Sequence, residues 1–403
     1  MAVRRRSVPA SDTEGPALRL LQPLVLPPDP AVLDARRDLS ALLSGDAAYL
    51  PLPDTDSNEA HNLVESLGVG EQIDDAVALA VSTSGTTGRP KGAMHTRDTL
   101  RASADATAEI LGGHGAWLLT LPPHHIAGLQ VMLRSLAAGH DPVVVDVSSG
   151  FDPACVRPAV DALDGPRRYT SLVPVQLRKA LESPEATAAL AELDAILVGG
   201  AATPTPLARQ ALDAGLTIVR TYGMSETAGG CVYDGVPLRG TEIRIDSPDA
   251  DGVGRVLLGG ATVARGYRNL PDHPAFAEPG WFRTDDLGVV DDGVLRVVGR
   301  ADEAISTGGL TVIPQVVEAL IGALPTVADC AVVGLSDDRL GERVVAAVVP
   351  TPDAAPPTLD EIRERVTESL DKYAAPREVF VLDALPRRGP GKVDRRGLRQ
   401  LLS

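Results

Sequence analysis

Short β-rich runs alternate with helical patterns between about residues 76 and 223, and this alternation limits the fold more than any other feature. The runs are rich in apolar and β-branched residues, as expected for buried strands of a sheet. The runs are AVALAV (76–81), AWLLTL (116–121), PVVVDV (142–147), AILVGG (195–200) and LTIVRTYG (216–223). Between the first two, Thr96 is placed to cap a helix and Gly112 to end it. The pattern predicts an α/β protein with layered, largely parallel sheets.

The pattern changes after Gly235, where Gly, Asp and Val become frequent and the strand-like runs shorten. Two such runs are GRVLLGG (254–260) and GVLRVVGR (293–300). They predict a smaller β-rich subdomain over about 236–301. Farther along, helix and strand patterns fall near 314–323, 328–335, 344–349 and 358–372. We therefore predict a large N-terminal domain over 1–301 and a small α+β C-terminal domain over 302–403.

The composition is that of an ordinary globular protein, with 44% hydrophobic and 23% charged residues. A net charge of −16 argues against nucleic acids and anionic membranes as partners, because binding to them depends on neutralising phosphates. The three cysteines have neither metal-binding spacing nor a disulfide pattern, which fits a reducing compartment, and we expect Cys231 to serve packing. No run approaches the roughly 18 apolar residues of a membrane span. These features predict a cytoplasmic enzyme without stable membrane insertion, and they leave open whether it forms a homo-oligomer.

A loop rich in glycine and hydroxyl side chains, STSGTTGRPKGAMHT (82–96), directly follows the first predicted strand. It is not a Walker A loop, because Lys91 follows a proline and precedes a glycine instead of a hydroxyl residue. Small residues in succession still allow backbone N–H groups to converge on an anion. Two interpretations remain for the loop alone, a phosphate-binding loop and a flexible surface loop.

Six further motifs follow this loop, and together they resemble the acyl-adenylate-forming superfamily, which includes acyl-CoA synthetases and peptide-synthetase adenylation domains. In chain order the seven motifs are STSGTTGRPKG (82–92), PPHHIAGL (122–129), VGGA (198–201), RTYGMSET (220–227), GWFRTDDLG (280–288), GRADEAISTGG (299–309) and PRRGPGKVDR (386–395). One such motif is a weak signal, whereas seven in the family's order are a strong one. The resemblance implies ATP, CoA and Mg²⁺ as cofactors and a small-molecule carboxylic acid as substrate.

Nucleotide-binding residues follow from the resemblance, position by position. They are Thr83, Ser84, Gly85, Thr86, Thr87, Gly88, Lys91, Gly199, Gly200, Ala201, Thr221, Tyr222, Gly223, Met224, Ser225, Asp286 and Arg300. Among them, Tyr222 offers a ring to adenine, and Asp286 can accept hydrogen bonds from both ribose hydroxyls. Two departures occur: Asp285 replaces the usual glycine before Asp286, and Ser225 replaces a threonine.

Catalytic roles are expected for Lys392, Glu226 and His125. Adenylation brings a carboxylate to the α-phosphate, so the site needs cations where negative charge develops. Lys392 is expected to bridge these two anions, and the Glu226 carboxylate suits Mg²⁺. Taken alone, Lys392 would also fit a solvated basic tail, and His125 would fit an ordinary core histidine.

A second half-reaction and a moving C-terminal domain are also implied by the resemblance. In the family this domain swings about a hinge aspartate, here Asp302, and then presents a glycine-rich loop to the thiol. Gly308 and Gly309 would leave room for a narrow pantetheine tunnel. Alone, Asp302 would usually be a surface carboxylate.

Within the superfamily, the sequence most resembles the 2-succinylbenzoate:CoA ligases of menaquinone biosynthesis. Low-ranking candidates for holding the second carboxylate of such an acid are Thr170, Ser171, His125, Gly230 and Val232. One alternative is a ligase that activates another acid with CoA or loads it on a carrier protein. A catalytically silent binding protein is a third hypothesis, which the presence of Lys392 and Glu226 disfavours.

Overall fold

The computed structural model describes residues 17–83, 89–352, 354–388 and 391–403 of the 403-residue chain. Part of the predicted phosphate loop lies outside the described residues, namely Ser84, Gly85, Thr86, Thr87 and Gly88. The described residues form four larger sheets and a two-stranded hairpin, with helices packed against them. This architecture confirms the predicted α/β class.

The first sheet begins in a region where the sequence patterns did not predict strands. Its elements are β1 (Leu18–Val25), α1 (Arg36–Ser44), β2 (Ala48–Leu52), α2 (Asn58–Leu67), β3 (Gln72–Asp74), β4 (Val77–Thr83), β5 (Lys91–Thr96) and α3 (Arg97–Ile110). The strand order is β3-β1-β2-β4-β5, with β1, β2 and β4 parallel and both edge strands antiparallel to their neighbours. Thr96 caps α3 as predicted, since its hydroxyl accepts a hydrogen bond from Thr99 N at 3.2 Å. Because β4 and β5 flank the phosphate loop, both ends of that loop are attached to one sheet.

The second sheet contains four of the five strands predicted between residues 76 and 223. Its elements are β6 (Ala116–Leu119), α4 (Ile126–Ala137), β7 (Val143–Val144), α5 (Val156–Asp161), β8 (Arg168–Leu172), α6 (Pro174–Leu181), α7 (Pro184–Leu190), β9 (Ala195–Val198), α8 (Thr205–Asp213), β10 (Ile218–Met224), β11 (Gly229–Tyr233) and β12 (Val236–Pro237). Strands β7, β6, β8, β9 and β10 are parallel neighbours in that order, and β11 and β12 continue the sheet antiparallel. Only Val143–Val144 of the predicted run 142–147 is strand.

Successive residues of β6 and β9 face two different cores, which explains why the sequences of these two strands are continuously apolar. Leu119 and Leu197 belong to the core shared with the first sheet, whereas Leu118 and Ile196 belong to a second core on the opposite face. Strands β6 and β9 are therefore buried on both faces, whereas β7 and β10 are only partly buried.

The third sheet is an antiparallel meander of β13 (Thr241–Asp246), β14 (Gly254–Gly260), β15 (Trp281–Asp291) and β16 (Val294–Arg300). It lies within the predicted β-rich subdomain.

The remaining elements belong to the C-terminal part. They are β17 (Ile305–Thr307), β18 (Leu310–Val312), α9 (Pro314–Ile321), β19 (Val327–Asp337), β20 (Gly341–Pro350), α10 (Leu359–Thr367), β21 (Glu378–Val381), β22 (Arg387–Arg388), β23 (Lys392–Val393) and α11 (Arg395–Leu402). The larger sheet has the order β18-β17-β20-β19 with β21 beside β20, and β22 pairs with β23 as a hairpin. The domain boundary at 301/302 stays a prediction, and it falls between β16 and β17. No helix in the described parts of the chain is long and apolar enough to cross a membrane.

Candidate active site

The predicted nucleotide motifs converge where β4, β9 and β10 end. The Ser225 hydroxyl donates to the carbonyl of Ser82 at 3.1 Å, which joins the turn after β10 to the end of β4. A Cβ on Gly199, at the end of β9, would lie only 2.3 Å from Thr221 Oγ1. A Cβ on Gly223 would lie 2.1 Å from the carbonyl oxygen of Gly229. Glycine is needed at both positions for the strands to approach this closely, and the carboxyl ends of parallel strands are the usual place for a ligand site.

Glu226 lies in a short helical turn directly after β10 and is 7% exposed. Its Oε1 accepts a hydrogen bond from the Tyr267 hydroxyl at 2.6 Å, and its carbonyl accepts one from Ala264 N at 2.9 Å. Burial raises the pKa of Glu226, whereas the Tyr267 hydrogen bond and the charges of Lys91 and Lys392 act in the opposite direction. The site therefore contains a buried carboxylate surrounded by cations.

Tyr267 was not found from the sequence. It is 2% exposed, and Lys91 Nζ lies 4.6 Å from the centroid of its ring. Its partner Glu226 is 41 positions away in the sequence, so no local spacing pattern indicates the contact.

A second missed residue, His95 on β5, connects the first sheet to the same turn. Its Nε2 lies 2.6 Å from the carbonyl oxygen of Ser225. Because a carbonyl only accepts, Nε2 carries the proton. Burial lowers the pKa of His95 to about 4, so the ring is neutral near pH 7.

Asp286 and Tyr222 form a second polar pair, in which the Tyr222 hydroxyl donates to Asp286 Oδ2 at 2.6 Å. Asp286 is 7% exposed, and burial raises its pKa, while the bond from Tyr222 and the Arg300 charge oppose that rise. Arg300 lies 3.5 Å from Asp286 and 2.8 Å from Asp302. One guanidinium thus connects the predicted ribose carboxylate with the predicted hinge aspartate. Arg300 also lies 3.6 Å from the unusual Asp285.

Lys392 reaches this site from the C-terminal hairpin. Although the residue is open to solvent, the protein atoms around its ammonium lower its pKa, and so does the Arg300 guanidinium. Glu226 and Asp286 act in the opposite direction. The preceding Gly391 lies against the N-terminal part of the chain, here called the large unit (residues 17–301). An ideal Cβ on Gly391 would be 3.3 Å from Val175 Cγ1. The structure therefore brings Lys392 together with Glu226, Asp286 and Arg300.

His125 lies at the N-terminus of α4, and its pKa is lowered to about 4, mainly by burial and also by Lys392. The ring of its neighbour His124 is 4.2 Å away between centroids, and burial lowers the pKa of His124 to about 3. Both rings are neutral near pH 7, so they add no positive charge beside Lys392.

Two of the candidates for holding the second carboxylate make their contacts inside the protein. Thr170 is fully buried and its hydroxyl donates to the carbonyl of Leu118 at 2.9 Å, while Val232 packs in a small apolar core with Cys231. By contrast, Gly230 is half-buried beside Thr221, at the end of the sheet where the motifs meet. Burial raises the pKa of the Cys231 thiol to about 12, in keeping with packing.

The remaining predicted residues fall into two groups. Thr83, Gly200, Ala201 and Met224 lie at the ends of β4, β9 and β10. Gly308 and Gly309 form the turn between β17 and β18, and the side chains that a Cβ on Gly308 would meet are Leu340 and Tyr373 of the C-terminal part. This glycine turn is exposed, and a Cβ on Gly309 would meet no atom within 4 Å.

Comparison with known proteins agrees with the geometry. A model of the AMP-binding enzyme family matches residues 31–268, more than half of the chain. The chain belongs to this family. A model of the AMP-binding enzyme C-terminal domain matches residues 316–392. The superfamily resemblance inferred from the motifs is therefore confirmed.

Similar curated proteins activate acids with CoA, according to their names. A probable 2-succinylbenzoate–CoA ligase of Mycobacterium tuberculosis (strain H37Rv) is 57% identical over 364 residues, covering 89% of this chain and 93% of the relative. A feruloyl-CoA synthase of Amycolatopsis is 34% identical over 380 residues, covering 88% of this chain and 75% of the relative.

Solved structures share the fold. The o-succinylbenzoate CoA synthetase (MenE) of Bacillus subtilis, in complex with the acyl-adenylate intermediate OSB-AMP, has a TM-score of 0.70 and 28% identity, covering 94% of this chain and 83% of that one. ATP-bound MatB from Rhodopseudomonas palustris has a TM-score of 0.81 at 23% identity, covering 95% and 89%, which shows the fold alone.

Proposed function

We propose that this protein is an ATP-dependent ligase that converts 2-succinylbenzoate to its CoA thioester through an acyl-AMP, a step of menaquinone biosynthesis. The observation that carries the reaction class is that the C-terminal hairpin rests on the N-terminal part, where an ideal Cβ on Gly391 would be 3.3 Å from Val175 Cγ1, and that the charges of Glu226 and Asp286 act on the pKa of Lys392. The 57% identical M. tuberculosis relative supports the choice of acid. We expect the reaction to occur in the cytoplasm.

In the first half-reaction, a carboxylate oxygen of the acid attacks the α-phosphorus of ATP, and pyrophosphate leaves with the electrons of the broken P–O bond. Lys392 would lie between the two anions and offset their repulsion. A unit-charge contact near 4 Å is worth about 4 kcal/mol at an effective dielectric constant of 20. Tyr222 would contact adenine, and Asp286, which accepts the bond from Tyr222, would also accept hydrogen bonds from the ribose hydroxyls.

Mg²⁺ fits the residues near the phosphate loop. Magnesium is usually bound through one or two carboxylates plus phosphate oxygens, so the single buried carboxylate of Glu226 is sufficient on the protein side. The described residues contain no group of three or more His, Cys, Asp or Glu side chains arranged for a metal ion, which agrees with a site completed by the nucleotide. When bound, the ion would neutralise phosphate charge. Glu226 would hold it, and Lys91 would add a second positive charge.

In the second half-reaction, the CoA thiolate attacks the acyl carbonyl carbon, the C–O bond to phosphate breaks, and AMP leaves. Gly308 and Gly309 are exposed, and the side chains that a Cβ on Gly308 would meet belong to the C-terminal part, so their predicted role in a CoA tunnel requires this part to turn. We propose Asp302, which is held by Arg300, as the residue about which it turns.

A second candidate substrate is a cinnamic-type acid, because the feruloyl-CoA synthase of Amycolatopsis is also a close relative. Both acids have an aromatic ring, but 2-succinylbenzoate has a second carboxylate. Ser171, His125 and Gly230 remain candidates for binding that carboxylate.

Pyrophosphate release from ATP and Mg²⁺ tests the proposal directly when it is measured with a panel of acids, each with and without CoA. We expect turnover with 2-succinylbenzoate and full conversion to thioester only when CoA is present. Turnover with ferulate alone would keep the chemistry and overturn the choice of acid. If no acid in the panel supports pyrophosphate release, the proposed class of reaction is wrong.

A further inference from the structure

We propose that Tyr267 is a positioning residue that fixes the separation between Glu226 and Lys91 for the first half-reaction. The inference rests on the proposed function. Tyr267 lies in segment 264–269, here named the strap, which none of the seven sequence motifs includes. Glu226 and Lys91 come from different sheets, so their relative position depends on what connects them.

The strap holds Glu226 by both its main chain and its side chain. Ala264 N donates to the Glu226 carbonyl at 2.9 Å, and the Tyr267 hydroxyl donates to Oε1 at 2.6 Å. With its carbonyl and one carboxylate oxygen both fixed, the Glu226 side chain has little freedom to turn. The second carboxylate oxygen, Oε2, is therefore held in one orientation. A fixed orientation matters for a metal ion that would be bound by only one protein carboxylate.

The same strap contacts Lys91 and the residues before and after it in the chain. Asn269 Nδ2 donates to the carbonyl of Pro90 at 2.9 Å, and Arg268 N donates to the carbonyl of Gly92 at 2.7 Å. The Lys91 ammonium lies 4.6 Å from the centroid of the Tyr267 ring, within the range of a cation–π interaction. One aromatic residue thus contacts the carboxylate through its hydroxyl and the ammonium through its ring.

Tyr267 is itself fixed by its neighbours. His273 and Phe276 pack nearly perpendicular to its ring, with centroids 4.9 and 5.0 Å away. Edge-to-face packing of this kind is favourable and orients the ring. These two contacts therefore keep the hydroxyl directed at Glu226.

Tyr267→Phe is the first test, because it removes the hydroxyl and keeps the ring. The matched control is Tyr169→Phe, another buried tyrosine, whose hydroxyl donates to the carbonyls of Leu111 and Gly113. Calorimetric titration with ATP, in Mg²⁺ and then in EDTA, separates metal binding from nucleotide binding. For Tyr267→Phe we expect affinity for ATP to fall about tenfold in Mg²⁺ and to change less than about twofold in EDTA. The control should match the wild type in both.

Half-reactions supply an independent result. For Tyr267→Phe we expect the rate of pyrophosphate release to fall about tenfold, while thioester formation from pre-formed acyl-AMP is unchanged. Tyr267→Leu also removes the ring, so it should additionally weaken ATP binding in EDTA. Asn269→Ala, which keeps Tyr267, should raise the KM for ATP severalfold and spare the thioester step.

An equal loss in both half-reactions, or an equal loss of ATP affinity with and without Mg²⁺, would overturn the proposal and leave Tyr267 as a structural residue. If the wild type adenylates another acid, the comparison is made with that acid, and only the choice of substrate fails. If the wild type adenylates no acid, the proposed function itself fails. The titrations still decide whether Tyr267 acts on metal-dependent ATP binding.

Discussion

Glu226 and Lys392 contribute opposite charges to one site, but the molecule holds them in different ways. Glu226 is 7% exposed and is fixed through its carbonyl and its carboxylate to the strap of the large unit. Lys392 lies open to solvent on a two-residue strand, next to a glycine that rests on Val173 and Val175. A buried carboxylate is costly unless it is well hydrogen-bonded, so it belongs on a rigid frame. A lysine needed in only one step can be carried by a part that moves away.

Replacing the lysine tests this comparison with the largest expected effect. We expect Lys392→Ala to lower the rate of pyrophosphate release by about 10²–10³, by analogy with the loss of one transition-state donor. Thioester formation from pre-formed acyl-AMP should continue, because the lysine has then left the site. The two half-reactions are measured separately, by pyrophosphate release and by thioester yield. Lys179→Ala, at an exposed lysine of α6, is the control. Equal loss in both steps would show that Lys392 is part of the fixed frame.

Restricting the hinge should spare pyrophosphate release and slow thioester formation, the reverse of what we expect for Lys392→Ala. Asp302 lies in a short 3₁₀ turn, and the φ range typical of such turns includes the value that proline imposes. We therefore expect Asp302→Pro to keep the present orientation, so that adenylation changes only a few-fold and thioester formation falls about tenfold.

Asp302→Ala separates the backbone from the charge, since it removes the ion pair with Arg300 and leaves φ unrestricted. It should depress thioester formation less than the proline variant does. A collapse of adenylation in Asp302→Pro at an unchanged melting temperature would contradict the hinge assignment.

The smallest expected effect on activity comes from the hydrogen bond between Tyr222 and Asp286 in the large unit. Tyr222→Phe removes the hydrogen bond to Asp286, so it raises a carboxyl pKa that burial already raises. The protonated form of Asp286 then persists to higher pH, and the acidic limb of kcat/KM for ATP should move upward. The KM for ATP near neutral pH should rise about threefold.

Unlike the lysine variant, Tyr222→Phe should affect both half-reactions alike, because the ribose stays bound in both. Tyr233→Phe, which loses a hydroxyl contact with Thr107, is the matched control. An unchanged acidic limb would mean that Asp286 does not control the pH dependence of ATP use.

The sequence predicted well those parts whose cause is local. The runs that became β4, β6 and β9 are buried on both faces, so apolar continuity identified them, whereas the residues of β10 are only partly buried or exposed. Thr96 and Gly112 marked the two ends of α3. In β1, most residues are exposed and the two buried ones follow no regular alternation, so no pattern indicated a strand.

Contacts distant in sequence could not be predicted in this way. Tyr267 meets Glu226, and His95 meets Ser225, only because two sheets pack together. Thr170 was chosen as a possible substrate contact for its hydroxyl, but β8 turns that hydroxyl toward Leu118. Which face of a strand a residue occupies depends on packing and not on its type.

A reversible cross-link tests the central claim most directly. An ideal Cβ on Gly391 would lie 3.7 Å from Val173 Cβ, close to the mean separation in disulfides. The double variant Gly391→Cys/Val173→Cys, made with exposed Cys155 replaced by serine, should therefore lock the lysine hairpin onto the large unit when it is oxidised. Gly391→Cys alone is the control, because φ at this position is +80° and any side chain is strained there.

Both half-reactions are then measured before and after reduction. We predict that the oxidised protein releases pyrophosphate but makes no thioester from acyl-AMP, and that reduction restores the second step. Thioester formation at the same rate in the oxidised and reduced proteins would contradict the account, because Lys392 and Glu226 would then belong to one fixed site.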